Sequence, residues 1–151
     1  MARNYVTSTT TLWADEDFIE LTPQQQALYQ MLKGQREISA AGTLPLRVRR
    51  WTRTAKGWTP DLIDAELTVL EALGHVAVDR DTEEVLIVKF VKFDGGYRNE
   101  KRRPVIDEAA RDVMSPRLRG ILASELDALN ALPDTASALR GGNPSDRASD
   151  G

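Results

Sequence analysis

Apolar residues along the chain recur first at helical and then at strand spacing. Leu28, Met31 and Leu32 form a helical stripe behind Thr22-Pro23, and Gln25, three residues after Thr22, completes a capping-box pattern. Ala41-Gly42 breaks the chain, and Leu44-Pro45-Leu46 reads as a short strand that pairs with a later ribbon. Residues 46–56 predict a helix with Val48, Trp51 and Ala55 on one face and Arg49, Arg50, Arg53 and Lys56 on the other. A second helix opens at Thr59-Pro60 and closes at Gly74. From His75 the period changes. Val76 and Val78, a polar stretch at 79–84 and a β-prone run at 85–93 predict a hairpin. Helix, tight turn, helix and ribbon make a winged helix-turn-helix, a layout that docks on nucleic acid or protein.

The flanks are plainer. The threonine-rich residues 5–13 predict a short strand or extended arm. Residues 94–97 read as a turn, 98–103 as a basic run, and Pro104 as the start of a helix reaching about Met114. Ser115-Pro116 then caps a further helix, in which Leu118, Ile121, Leu122, Leu126 and Leu129 recur at helical spacing. That apolar face packs on its own domain or on a second copy. A homodimer is favoured, because a small domain leaves little room for another wide apolar face. Residues 133–151 hold one large apolar side chain, Leu139, and are expected to be disordered. The expected fold is α+β, mainly α. A winged helix-turn-helix domain with an N-terminal arm covers 1–103, C-terminal helices 104–132 and a tail 133–151.

Composition narrows the function. With no cysteine among 151 residues there is no disulfide framework, thiol nucleophile or cysteine-ligated zinc. No stretch has the length of a membrane span and the N-terminus lacks an apolar signal core, so the expected location is cytoplasmic, without membrane partners. The net charge of −3 makes a poor bulk polyanion binder, so nucleic-acid contact must come from local patches. One patch is Arg47, Arg49, Arg50, Arg53 and Lys56; another runs from Lys89 and Lys92 to Arg98, Lys101, Arg102 and Arg103. The first contains no acid, and like charges three or four apart weaken a helix, so an anion or acidic partner would relieve it. No cation lies between Gly57 and Asp79, where Asp61, Asp64, Thr68 and Glu71 mark a candidate surface for a protein partner.

Enzymatic chemistry is not expected, nor is a cofactor or metal. The single histidine, His75, builds no metal cluster and reads as structural. Asp15, Glu16 and Asp17 lack calcium-loop spacing, and Asp79, Asp81, Glu83 and Glu84 read as a solvated hairpin tip. No phosphate-binding glycine loop or nucleophile elbow occurs. Trp51 is expected in the core, and Trp58 as a staple against Leu62 or Ile63.

Leu12-Trp13-Ala14-Asp15-Glu16-Asp17-Phe18, Leu21 with Gln26-Ala27-Leu28-Tyr29, residues 41–46 and Arg49-Arg50-Trp51 carry a resemblance, together with Phe90-Val91-Lys92-Phe93-Asp94 and Ser115-Pro116 before Leu118-Arg119 and Glu125-Leu126. Over about residues 12–130 the chain resembles small winged-helix proteins of actinobacterial phages and mobile elements, akin in layout to replisome organisers of the DnaD type. The resemblance implies DNA binding in replication or its control, in the host cytoplasm if phage-encoded, with Arg47, Arg49, Arg50 and Arg53 matching the family's basic helix. Lys89 and Lys92 stand where many members have arginine. Two readings follow. In the first, the basic helix and wing hold DNA phosphates, and the acidic second helix stays out of the major groove. In the second, the acidic helix docks a basic replication or transcription protein such as a helicase or loader.

Overall fold

A computed structural model describes residues 16–93 and 96–131. The expected arm at 5–13, with Trp13 and Asp15, the turn residues 94–95 and the tail 133–151 lie outside the described residues. The described chain is α+β and mainly helical. Its order is α1 (Glu16–Ile19), α2 (Pro23–Lys33), β1 (Thr43–Pro45), α3 (Val48–Trp51), a 3₁₀ turn (Thr52–Thr54), α4 (Pro60–Ala72), β2 (Val76–Asp79), β3 (Glu84–Ile87), α5 (Phe90–Phe93), α6 (Arg103–Arg111) and α7 (Pro116–Ala131). The strands form one antiparallel sheet, ordered β1-β3-β2, with Leu44 opposite Val85 and Val78 opposite Val85 on the other side. This order is compatible with a winged helix.

Strand alternation builds three layers. Val76 and Val78 of β2, with Val85 and Ile87 of β3, face a core filled by Leu28, Leu32, Trp51, Ile63, Leu67 and Leu70 from α2, α3 and α4. Ala77 and Leu86 face the other way, into a second core with Ile106 of α6 and Leu118 and Leu122 of α7. The sheet is therefore covered on both faces, which is why β3 reads as an unbroken apolar run.

Local signals set most helix ends. Thr22 Oγ1 accepts from Gln25 N at 3.2 Å while Gln25 Oε1 accepts from Thr22 N at 3.0 Å, closing the capping box. Thr59 Oγ1 caps α4 by accepting from Leu62 N, and Ser115 Oγ caps α7 by accepting from Leu118 N. Gly74, at φ +84°, follows Leu73, the C-cap of α4.

Four expectations need correction. The helix expected over 46–56 is a single turn followed by 3₁₀ geometry. Thr52 and Thr54 hydroxyls donate to the carbonyls of Arg49 and Trp51 at 2.6 Å each, and Gly57 adopts φ +98°. Ala55 is thus exposed and not on the face of Trp51. The strand expected over 85–93 ends at Ile87: Lys89 takes φ +63° and Phe90–Phe93 turns into a helix. The helix from Pro104 stops at Arg111, because Val113 is buried and the next two amides are bound elsewhere. Lastly, the apolar face of α7 is spent inside the protein, where Leu118 and Leu122 are fully buried, so it is not available as the expected dimer interface.

Carboxylates join the outer helical layer to the hairpin. Glu84 of β3 accepts from the amides of Met114 and Ser115 at 2.9 and 2.7 Å. Glu125 of α7 accepts from Lys89 N at 2.6 and 3.2 Å, which holds the left-handed residue in place. Burial pushes the Glu125 carboxyl above its ordinary value, partly opposed by the Lys89 amide and charge. A raised folded pKa means that stability from this group falls as pH rises through that pKa and returns on acidification. Glu125→Gln keeps an acceptor without the charge. It is expected to melt at or above the wild type at about pH 7, with the gap closing towards pH 4 as the wild type takes up its proton. A variant that melts below the wild type at about pH 7, with the deficit closing towards pH 4, would show that the charge itself holds Lys89.

Candidate nucleic-acid interface

The basic surface begins with the buried Trp51, which anchors α3 in the first core and turns the neighbouring cations outward. Arg47, Arg49, Arg50, Arg53 and Lys56 are all exposed. They are not alike. Glu37 pairs with Arg50 at 3.4 Å and with Arg47 at 3.9 Å, so an acid from another segment relieves part of the repulsion that the sequence alone leaves unanswered. Among the described residues, Arg49, Arg53 and Lys56 make no ion pair. Both Glu37 pairs are open to water and contribute little, so an incoming phosphate could displace the carboxylate.

The second basic stretch is a separate feature. Tyr97 and Ile106, which anchor it, belong to the core on the opposite face of the sheet from Trp51. Within it Arg103 is committed: its Nε donates to Tyr97 O at 2.8 Å and its guanidinium lies 5.5 Å from the Tyr97 ring centroid. Arg102 is half-buried, with its chain against Gly96. Arg98 and Lys101 are exposed. Lys89 is exposed, and Lys92 lies 5.2 Å from the Phe93 ring centroid.

The acids of α4 also divide. Asp64 pairs with Arg80 of the hairpin at 3.1 Å. Glu71 accepts from Val78 N at 2.6 Å and pairs with Arg117 of α7 at 3.5 Å, and Arg117 also donates to Val78 O. Of the four acids of α4, Asp64 and Glu71 are therefore engaged by the protein's own cations. The Thr68 hydroxyl donates to Asp64 O at 2.9 Å. What α4 shows to solvent is Pro60, Asp61, Ala65, Thr68, Val69 and Ala72, with Leu73 at its C-cap, a face of mostly small and apolar side chains with no cation.

Sequence reading missed the structural use of the hairpin acids. Asp79 Oδ1 accepts from the amides of Asp81 and Thr82, and the Ser115 hydroxyl and these amides hold its carboxyl below the ordinary value. An Asp two residues before a polar turn was the available signal. The reach of Glu84 to α7, across about thirty residues, had none. His75 packs against Tyr29, with ring centroids 5.7 Å apart, as a structural side chain does. Among the described residues no group of His, Asp or Glu could hold a metal ion, and no helix is long and apolar enough to cross a membrane. Comparison with protein-family models, curated proteins and solved structures finds no match.

Proposed function

We propose that the protein is a winged-helix DNA-binding protein that holds the phosphate backbone through Arg49, Arg53 and Lys56, with Arg47 and Arg50 joining when phosphate replaces Glu37. The carrying observation is the exposed cluster beside Trp51, three of whose cations make no ion pair among the described residues. A cation-free α4 argues against base reading in the major groove, so recognition rests on backbone and shape. The resemblance to phage and mobile-element proteins supports a role in replication or its control, within the host cytoplasm if the protein is phage-encoded. Arg98 and Lys101 form a second, separate contact surface.

Glu37→Ala tests the displacement directly. Freeing Arg47 and Arg50 is expected to raise duplex affinity a few-fold at low salt and to steepen its salt dependence, by about 0.9 in logarithmic slope for each phosphate gained. Unchanged affinity and slope in fluorescence anisotropy would remove both arginines from the interface.

The exposed apolar face of α4 favours a second reading, in which that face docks a replication or transcription protein. Leu73 is 56% exposed, beside Val69 and Ala72, a composition suited to protein contact and unsuited to phosphate. Asp61 and Thr68 would edge such a surface, while Asp64 and Glu71 are taken up internally. Failure of the wild type to bind any duplex or single strand at low salt would favour this reading over the first.

A further inference from the structure

The outer face of α7, opposite its buried side, is small and charged in a symmetric pattern. Leu118, Leu122 and Glu125 face the sheet and hairpin. At 100° per residue, Gly120, Ala123 and Asp127 lie about half a turn away from them, with Arg119 at the edge nearest α6. Gly120, Ala123, Asp127 and Arg119 all line a groove of about 560 Å³ between α6 and α7.

Gly120 has no intramolecular reason to be glycine. It sits inside a sixteen-residue helix, its φ is not positive, and a Cβ there would meet no atom within 4 Å. Glycine in a helix interior is less favourable than alanine, because it loses more backbone freedom on folding. Small side chains on an exposed helix face permit close approach by a second backbone.

The charges say which backbone. Arg119 lies four residues before Ala123 and Asp127 four residues after it, and neither makes an ion pair among the described residues. Two copies of α7 crossing antiparallel at Ala123 would set Arg119 of each against Asp127 of the other, with Gly120 about one turn from the crossing. That is the self-complementarity a twofold interface requires.

We propose that α7 forms a homodimer contact through Arg119, Gly120, Ala123 and Asp127. This surface lies opposite the buried Leu118 and Leu122 of α7, and the inference stands whether or not the protein binds DNA. One helix pair with its groove edges buries a small area, so the dimer belongs to the weak class, with dissociation in the micromolar range or above.

Sedimentation velocity from about 10 to 500 μM tests it in that range. The wild type is expected to shift from monomer towards dimer as concentration rises. Arg119→Asp alone and Asp127→Arg alone should each weaken association at least tenfold, and the double exchange should restore it. Gly120→Leu should abolish the dimer while its thermal melt remains cooperative. The exchange pair, on the exposed face, supplies the test if Gly120→Leu fails to fold. A wild type that stays monomeric throughout overturns the proposal, as does a dimer indifferent to both single exchanges.

Discussion

Leu122→Asp is expected to destabilise the protein by at least about 4 kcal/mol, combining a lost core side chain with a buried carboxylate that has no partner. Leu122 is 1% exposed and packs with Ala77, Leu86, Ile106 and Leu118 between α7 and the sheet. Its failure is expected to spread. With α7 dislodged, Glu84 loses the amides of Met114 and Ser115, Glu71 loses Arg117, and Lys89 N loses Glu125. Denaturant unfolding should show a large fall in midpoint. A loss below about 1 kcal/mol would mean that α7 rests loosely on the sheet.

Gly42→Ala is expected to be nearly as severe. Gly42 has φ +86°, and a Cβ there would lie 2.4 Å from Phe90 Cβ and 2.6 Å from Phe90 Cγ. Its carbonyl accepts from Ile87 N at 2.8 Å, so the backbone cannot retreat without loosening the link between β1 and β3. Gly57 and Gly74 serve as controls. Both have positive φ, but a Cβ at either meets nothing within 4 Å. Alanine at those sites should cost about 1–2 kcal/mol from backbone strain alone. At Gly42 the clash with Phe90 should take the loss beyond about 3 kcal/mol. Equal losses at all three sites, measured by thermal melts, would contradict the tight Gly42–Phe90 approach.

How much of this could be read beforehand depends on the range of each signal. The caps at Thr22, Thr59 and Ser115 act within three residues, and the structure places each as expected. Pairing of the 44–46 region with the ribbon followed from β-propensity and layout. Local reading failed where a distant group decides. The 85–93 run has strand composition throughout, yet Glu125 fixes Lys89 in a left-handed turn, and the chain turns into α5, with Phe90 in the first core and Val91 in the second. The alternation of Val76, Ala77 and Val78 could have revealed a sheet buried on both faces, because Ala77 is no solvent-facing residue. It would have seated the α7 leucines internally and not between two copies.

At the candidate site the sequence located Trp51, Arg49 and Arg50 from spacing around one turn of helix, whereas Arg53 and Lys56 are exposed on the 3₁₀ turn and the loop after it. It did not reveal that Glu37 answers Arg47 and Arg50, or that Arg80 and Arg117 answer Asp64 and Glu71. These pairings join residues ten to forty-six positions apart. A charge cluster that looks uncompensated along the chain is therefore only partly so in space, and the case for an external anion rests on Arg49, Arg53 and Lys56.

The central claim, backbone contact through the cluster beside Trp51, is tested most directly by salt-titrated fluorescence anisotropy. The comparison sets the wild type against Arg49→Ala/Arg53→Ala, with Asp61→Ala as the control on α4. The account predicts salt-dependent binding of random-sequence duplex by the wild type. In the arginine pair, affinity falls similarly across sequences and the logarithmic salt slope drops by about 1.8, while the Asp61 variant stays level or binds slightly tighter. Wild-type binding whose affinity and slope survive loss of both arginines, or no salt-dependent binding by the wild type at all, would contradict it.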